Sequence, residues 1–314
     1  MNDTPRRATI LVNPEARHAI RRFDPEAALE LLGARGFQVR LAVPGSPAQA
    51  TDAARATAER GDEFLFVVGG DGSLRAVAMG LAGSRTALAA VPAGTVNIWA
   101  RETGLPIDSW ESAIECHLGG QIVPVDLGRA DGHCFLLMAG VGWDAAVAKR
   151  VPSRLKRKLG DVAYLLQAAG MLPQLRPSPA RWTIDGEVRE GPLAFMVIGN
   201  TRLYGGMIQF TKSAYVNDGL LDVVALCPGS IVDGARLSMK TLTGRLGGDH
   251  HVLENRARIV TIETTGIPVQ LDGDFVGETP MEFRIDPGAL RVSLPAGPLP
   301  AIFSGQASPV GVSG

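Results

Sequence analysis

Short apolar runs separated by helically spaced stretches set the pattern of the first third of the chain. Residues 8–12, 39–43 and 64–68 are apolar runs of strand length, and 25–35 and 48–60 between them read as helices. A further helix over 73–81 leads into the apolar run 87–91. This alternation predicts an α/β N-terminal domain with an open, mostly parallel, doubly wound sheet. Beyond about residue 121 the texture changes. Segments 135–138, 194–198, 221–226, 259–263, 269–271, 281–285 and 290–294 are short, apolar and bounded by turn residues, which predicts a mostly antiparallel β domain. Residues 153–172, basic and then apolar, read as a helix inserted in that domain. The small, polar tail from Ser304 is expected to be disordered. The expected division is 1–122, 123–303 and a tail at 304–314.

Composition narrows the class. A chain of 314 residues with 46% hydrophobic and 20% charged content has room for two domains and ordinary cores, which excludes a disordered chain. A net charge of -1 gives no reason to expect a nucleic-acid partner. Cys116, Cys134 and Cys227 are odd in number and far apart, fitting neither a disulfide framework nor paired-cysteine zinc spacing, so a reducing compartment is expected. The apolar stretch before Asn13-Pro14 is too short for a signal peptide, and residues 86–100 are broken by Pro92 and Gly94. A cytoplasmic protein without membrane spans is the expectation, with peripheral contact at the inner membrane face. His250 and His251, without paired cysteines, read as solvated, and Trp99 as core.

Candidate chemistry gathers at two glycine turns. Strand residues 64–68 run into Gly69-Gly70-Asp71-Gly72-Ser73, after which Leu74, Val77, Ala78 and Leu81 recur at helical spacing. Glycines there let a phosphate approach the backbone, and the first N–H groups of the helix favour an anion. The same turn is equally a plain tight β-to-α connection. No Lys-Ser or Lys-Thr follows the glycines and no Gly-x-Gly-x-x-Gly is present, which disfavours Walker and dinucleotide families. Pro92-Ala93-Gly94-Thr95-Val96-Asn97 supplies a second glycine turn after the next strand, so the two could clamp one nucleotide.

These two turns together resemble the diacylglycerol kinase catalytic family, which includes bacterial lipid kinases and sphingosine kinases. The segments Pro124-Val125-Asp126-Leu127-Gly128, Gly199-Asn200 with Tyr204-Gly205-Gly206, Asn217-Asp218-Gly219-Leu220-Leu221-Asp222 and Leu271-Asp272-Gly273-Asp274 resemble further family blocks in the right order. The resemblance covers about residues 8–303. The glycine-Asp turn alone is shared with NAD kinases and phosphofructokinases, whereas the ensemble is specific to lipid kinases. The resemblance implies an ATP-binding first lobe and a β-sandwich second lobe that helps form the acceptor cleft, with the last strands returning toward the first lobe. It implies an ATP- and Mg-dependent transfer of phosphate to a lipid hydroxyl, with diacylglycerol the default acceptor and a homodimer left open. Nucleotide contacts fall to Asn13, Gly69, Gly70, Asp71, Gly72, Ser73, Gly94, Thr95 and Asn97.

Phosphoryl transfer needs a metal to neutralise the triphosphate and a group to take the attacking hydroxyl's proton. Asp274 stands where the family has the glutamate of Asp-Gly-Glu, which gives it the general-base role, with Asp272 as runner-up. Aspartate is one methylene shorter, so the base must shift or act through a water. Read without the resemblance, Asp272-Gly273 is a hairpin turn. Asp71 and Asp126 can meet Mg²⁺ directly or through water, the resemblance favouring water. By resemblance Asp218, with the carbonyls of Tyr215 and Leu220, holds a second, structural Mg²⁺. Glu15 and Arg17 stand where a glycine is usual after Asn-Pro, and Ile98 replaces an aspartate after Asn97. Lys149, Arg150, Arg154, Lys156, Arg157 and Lys158 form a basic cluster that fits either anionic headgroups or a solvated helix face. The alternatives to a lipid kinase are a kinase of a sphingoid base, NAD or a polyol, and a catalytically weak nucleotide-binding regulator.

Overall fold

The structure, a computed structural model, describes residues 5–14, 23–143, 145, 177–205, 208–242 and 245–305. The expected helix at 153–172, the basic cluster from Lys149 to Lys158, Glu15, Arg17, Gly206 and the tail after Gly305 lie outside the described residues. Contacts divide the chain into two compact units, one up to Val125 and again from Gly288, the other Asp126–Pro287.

The first unit alternates β1 (Arg6–Val12), α1 (Pro25–Ala34), β2 (Phe37–Ala42), α2 (Pro47–Glu59), β3 (Phe64–Gly69), α3 (Asp71–Leu81) and β4 (Ala87–Pro92), followed by α4 (Ile98–Thr103) and α5 (Trp110–Leu118). Local signals set the helix starts. Asp24 accepts from Glu26 N–H and Ala27 N–H with Pro25 at the first turn of α1, and Ser46 accepts from Gln49 N–H ahead of α2. Every residue of β3 is buried, as expected of a strand covered on both faces. The strands are parallel in the order β2-β1-β3-β4, and the core sets Ile10, Phe64, Phe66 and Val68 against Leu32 and Ile114. Helical connections leave β1 and β3 toward opposite sides of this order, so the carboxyl ends of these strands form the topological switch point.

The second unit begins inside β5 (Gln121–Ala130) and continues through β6 (His133–Phe135), β7 (Met138–Gly142), β8 (Ser178–Ile184), β9 (Glu187–Leu193), β10 (Phe195–Gly199), β11 (Leu203–Tyr204), β12 (Ile208–Gln209) and β13 (Leu221–Leu226). After α6 (Ile231–Leu242) come β14 (Val252–Ala257), β15 (Ile259–Ile262), β16 (Pro268–Leu271), β17 (Asp274–Glu278) and β18 (Met281–Leu294). One antiparallel sheet runs β14-β13-β10-β7-β16-β17. A second antiparallel set joins the first half of β18 to β15, β8 and β9. Trp182, Phe283, Ile198 and Val223 fill the core of this unit. The fold class read from the sequence is therefore the one observed, an α/β unit with a parallel sheet and an antiparallel β unit.

Two segment readings are corrected. Residues 135–138 were expected to be one strand, but the chain bends at Leu136-Leu137 between β6 and β7 because those N–H groups turn to a carboxylate described below. Residues 281–285 and 290–294 were expected to be separate strands around Asp286-Pro287-Gly288. They are one strand, β18, whose first half pairs with β15 and whose second half pairs with β4 through Val292 and Leu88. Gly288 takes φ 61° inside it, a conformation glycine adopts without Cβ strain, so the turn residues do not end the strand.

Candidate active site

In the first unit the two glycine turns meet backbone to backbone. A Cβ built on Gly94 would lie 2.6 Å from Gly70 Cα, and one on Gly70 would lie 3.1 Å from Gly94 Cα. The glycines at this contact are thus required by the fit of one turn on the other. Ala93 N–H donates to the Gly69 carbonyl (2.9 Å), extending the β3–β4 pairing into the turns. Asn13 sits at the end of β1, its N–H donating to Val68 O (3.0 Å) and its Nδ2 to Ser73 Oγ (2.8 Å). Asn13, Gly70 and Ser73 are therefore gathered at the switch point.

Asp71 and Asn97 stiffen the pair of turns. The Asp71 carboxylate accepts from Ile98 N–H (2.9 Å) and Trp99 N–H (3.1 Å), capping α4 from the first residue of α3. Asn97 holds φ 52°, a left-handed conformation that asparagine tolerates. It accepts from Gly94 N–H (2.9 Å) and donates to Gly94 O (3.0 Å), closing the second turn on itself. The start of α3 carries no side-chain cap, so its N-terminal dipole is left for an anion. Gly72 and Thr95 are exposed beside these turns. A cavity of about 410 Å³ adjoins the second turn, lined by Phe23, Gly94, Thr95, Asn97, Arg101 and Trp110. Phe23 and Trp110 meet edge to face at 5.2 Å and form its apolar wall, a feature that the sequence reading missed. Trp99 is fully buried and belongs to the core.

In the second unit Asp272-Gly273 is the two-residue turn between β16 and β17. Both residues have positive φ, 48° and 87°, and Leu271 pairs with Asp274. The Asp272 carboxylate accepts from Leu136 N–H (2.8 Å), Leu137 N–H (2.9 Å) and Met138 N–H (2.9 Å), and its own N–H donates to Met138 O (2.9 Å). Asp272 is thereby a clasp between the hairpin and the start of β7. Asp274 is half-buried and opens β17.

The remaining acidic positions are held by the same unit. Asp126 is buried, accepts from Gly219 N–H (2.6 Å) and donates its own N–H to Val216 O (2.7 Å). Asn200, fully buried, donates through Nδ2 to the carbonyls of Asp126 (3.0 Å) and Leu136 (2.9 Å), tying β5 to the β6–β7 bend. Its Oδ1 is a buried acceptor that meets no hydrogen-bond donor among the described residues. Asp218 accepts from Leu220 N–H (3.1 Å) and is ion-paired through its other oxygen with Arg256. Asp222 lies across from Arg256 in the β13–β14 register, and burial pushes its carboxyl up to about 6 even though Arg256 pulls it down. Tyr215 is half-buried with Arg202 over its ring at 4.9 Å, and Leu220 is half-buried. Among the described residues no group of three or more His, Cys, Asp or Glu converges on a metal-sized site. Asp126 and Asp71 each have carboxylate oxygens engaged by backbone N–H groups of their own unit.

Comparisons with known proteins agree with this architecture. Residues 7–130 match the family model described as Diacylglycerol kinase catalytic domain, and residues 138–294 match YegS C-terminal NAD kinase beta sandwich-like domain. A protein named Diacylglycerol kinase from Bacillus subtilis (strain 168) is 30% identical over 88% of this chain and 93% of its own length. Another of that name from Mycobacterium tuberculosis is 32% identical, over 92% and 95%. A Pseudomonas aeruginosa protein named Probable lipid kinase YegS-like is 37% identical, over 74% and 77%. A solved diacylglycerol kinase structure from Bacillus anthracis str. Sterne shares the fold with a TM-score of 0.68 at 21% identity, over 93% of this chain and 97% of that one. The chain belongs to the diacylglycerol kinase family, a kinase that joins this catalytic domain to a YegS-type β-sandwich-like domain.

Proposed function

We propose that this kinase transfers the γ-phosphoryl group of Mg-bound ATP to the hydroxyl of diacylglycerol, giving phosphatidic acid. The observation that carries the nucleotide half is the seat made by Gly70 and Gly94, beside the uncapped start of α3. Catalysis of this kind is mostly positioning and charge stabilisation, and a rigid pair of turns supplies the first. Asp71 and Asn97 act by holding the turns, and the N-terminus of α3 favours the phosphates. When bound, magnesium neutralises charge on the phosphate oxygens. In the reaction a bond forms between the acceptor oxygen and the γ-phosphorus, the bond to the bridging β–γ oxygen breaks, and the hydroxyl proton passes to the Asp274 carboxylate. Asp274 is given that role because it stands where the family has the glutamate of Asp-Gly-Glu; Asp272 accepts from three backbone N–H groups. Diacylglycerol is favoured as acceptor by relatives that carry its name, those from Bacillus subtilis and Mycobacterium tuberculosis among them.

The test is a panel of acceptors under one donor. Labelled γ-phosphate from ATP is followed in mixed micelles of diacylglycerol or a sphingoid base, and in solution with NAD or a polyol. Label in the organic extract with diacylglycerol alone is the expected result. Label in a sphingoid base or a water-soluble product overturns the acceptor, and ATP binding without transfer to anything overturns the catalytic reading.

A further inference from the structure

The resemblance assigns a second Mg²⁺ to Asp218 with the Tyr215 and Leu220 carbonyls, and the structure puts a guanidinium at Asp218. Arg256 stands on β14, which pairs with β13 so that Arg256 faces Asp222. One guanidinium nitrogen, Nη2, is ion-paired with Asp218, and Nε lies 3.4 Å from Asp222 Oδ2. The Asp222 side chain is only 7% exposed and that of Asp218 15% exposed, and carboxylates so far out of water are stable only beside a cation or hydrogen-bond donors. Arg202 is fixed through Nε to the Ala214 carbonyl at 2.9 Å and laid over the Tyr215 ring. One guanidinium, that of Arg256, therefore serves two carboxylates at this turn. Glu254 and Lys212, opposite in sign, line the same cavity as Asp222 and Arg256.

We propose that Arg256 is the built-in cation of this turn, taking the place of a structural divalent ion and fixing 217–222 without metal. Arginine suits the task because its fork can address two carboxylates at once and it remains charged at every working pH. Arg256 is a positioning residue on this view, acting through the β13–β14 pair and the preceding turn. The magnesium requirement of the enzyme then belongs to the nucleotide alone. The inference rests on the geometry of the second unit, so its readout below stands or falls separately from the kinase reading.

The test is thermal unfolding of the full chain without nucleotide. The midpoint of the natural protein is expected to be the same within about 1 °C in millimolar MgCl₂ and in EDTA, because no divalent site contributes to folding. Arg256→Met, which keeps the apolar stem and removes the charge, is expected to lower the midpoint by about 5–10 °C, while Arg256→Lys retains most of it. Adding Asp218→Asn and Asp222→Asn to Arg256→Met should recover part of the loss, since no carboxylate then lacks a cation. A saturable rise in the natural protein's midpoint with Mg²⁺, reversed by EDTA and abolished by Asp218→Asn, overturns the proposal. So does an Arg256→Met variant as stable as the natural protein, or a loss that the added asparagines do not recover. If Arg256→Met does not fold, the Mg²⁺ titration of the natural protein still decides.

Discussion

At the Asp272-Gly273 turn three N–H groups converge on one carboxylate, and the molecule repeats the device where no chemistry is expected. Asp185-Gly186, with φ 47° and 86°, joins β8 to β9, and the Asp185 carboxylate accepts from Arg258 N–H and Ile259 N–H at the start of β15. In both cases an aspartate in a two-residue turn holds the backbone that leads into another strand. Asp272→Asn is expected to cost about 2–3 kcal/mol in stability, since one amide cannot accept three bonds as a carboxylate does. Asp185→Asn should be destabilising with kinase turnover intact. Denaturant unfolding of the two variants checks this, and an Asp272→Asn protein of natural stability but no activity would return the base role to Asp272. The Asp-Gly pairs were visible in the sequence as hairpin signals. What they clasp was not, because the partners are more than seventy residues away.

The elements that carry the nucleotide half were legible from periodicity. The apolar runs of β1, β3 and β4 and the helical spacing of α3 are local properties of the chain, and the glycine turns follow them directly. The sequence reading did not find the strand β14, because Glu254 and Arg256 interrupt its apolar pattern on an outward face. It gave the glycines to ligand approach, whereas the structure shows that Gly70 and Gly94 are also needed by each other. That contact gives a prediction at this scale. Gly94→Ala places a methyl group 2.6 Å from Gly70 Cα, so the turns must part. The variant is expected to lose about 1–3 kcal/mol of stability and to raise KM for ATP at least about tenfold, with the KM for the lipid acceptor less affected. Equal ATP kinetics in the variant would remove the turn-on-turn contact from the account of nucleotide binding.

Across the whole molecule, the chain joins an α/β unit and a β unit, and β5 and β18 each contribute residues to both. The first unit buries a histidine away from the turns. His117 Nε2 donates to the Ala90 carbonyl (2.8 Å), its Nδ1 meets no partner among the described residues, and burial lowers its pKa from 6.5 to about 4. The folded-state value lies below the unfolded one, so the neutral ring costs nothing above pH 6.5. Stability falls as pH drops from 6.5 toward 4, by about 3 kcal/mol at the lower end. His117→Gln, which keeps the donor to Ala90, should flatten that part of the melting-temperature profile, and an unchanged acid slope would assign it to other groups. No helix among the described residues is long and apolar enough to cross a membrane. The measurement that bears most directly on the central claim is transfer of labelled γ-phosphate from MgATP to diacylglycerol in mixed micelles, natural protein against Asp274→Asn. The account predicts labelled phosphatidic acid from the natural protein and at least about 100-fold less from a variant of equal thermal stability. Undiminished labelling by Asp274→Asn, or none by the folded, ATP-binding natural protein, would contradict it.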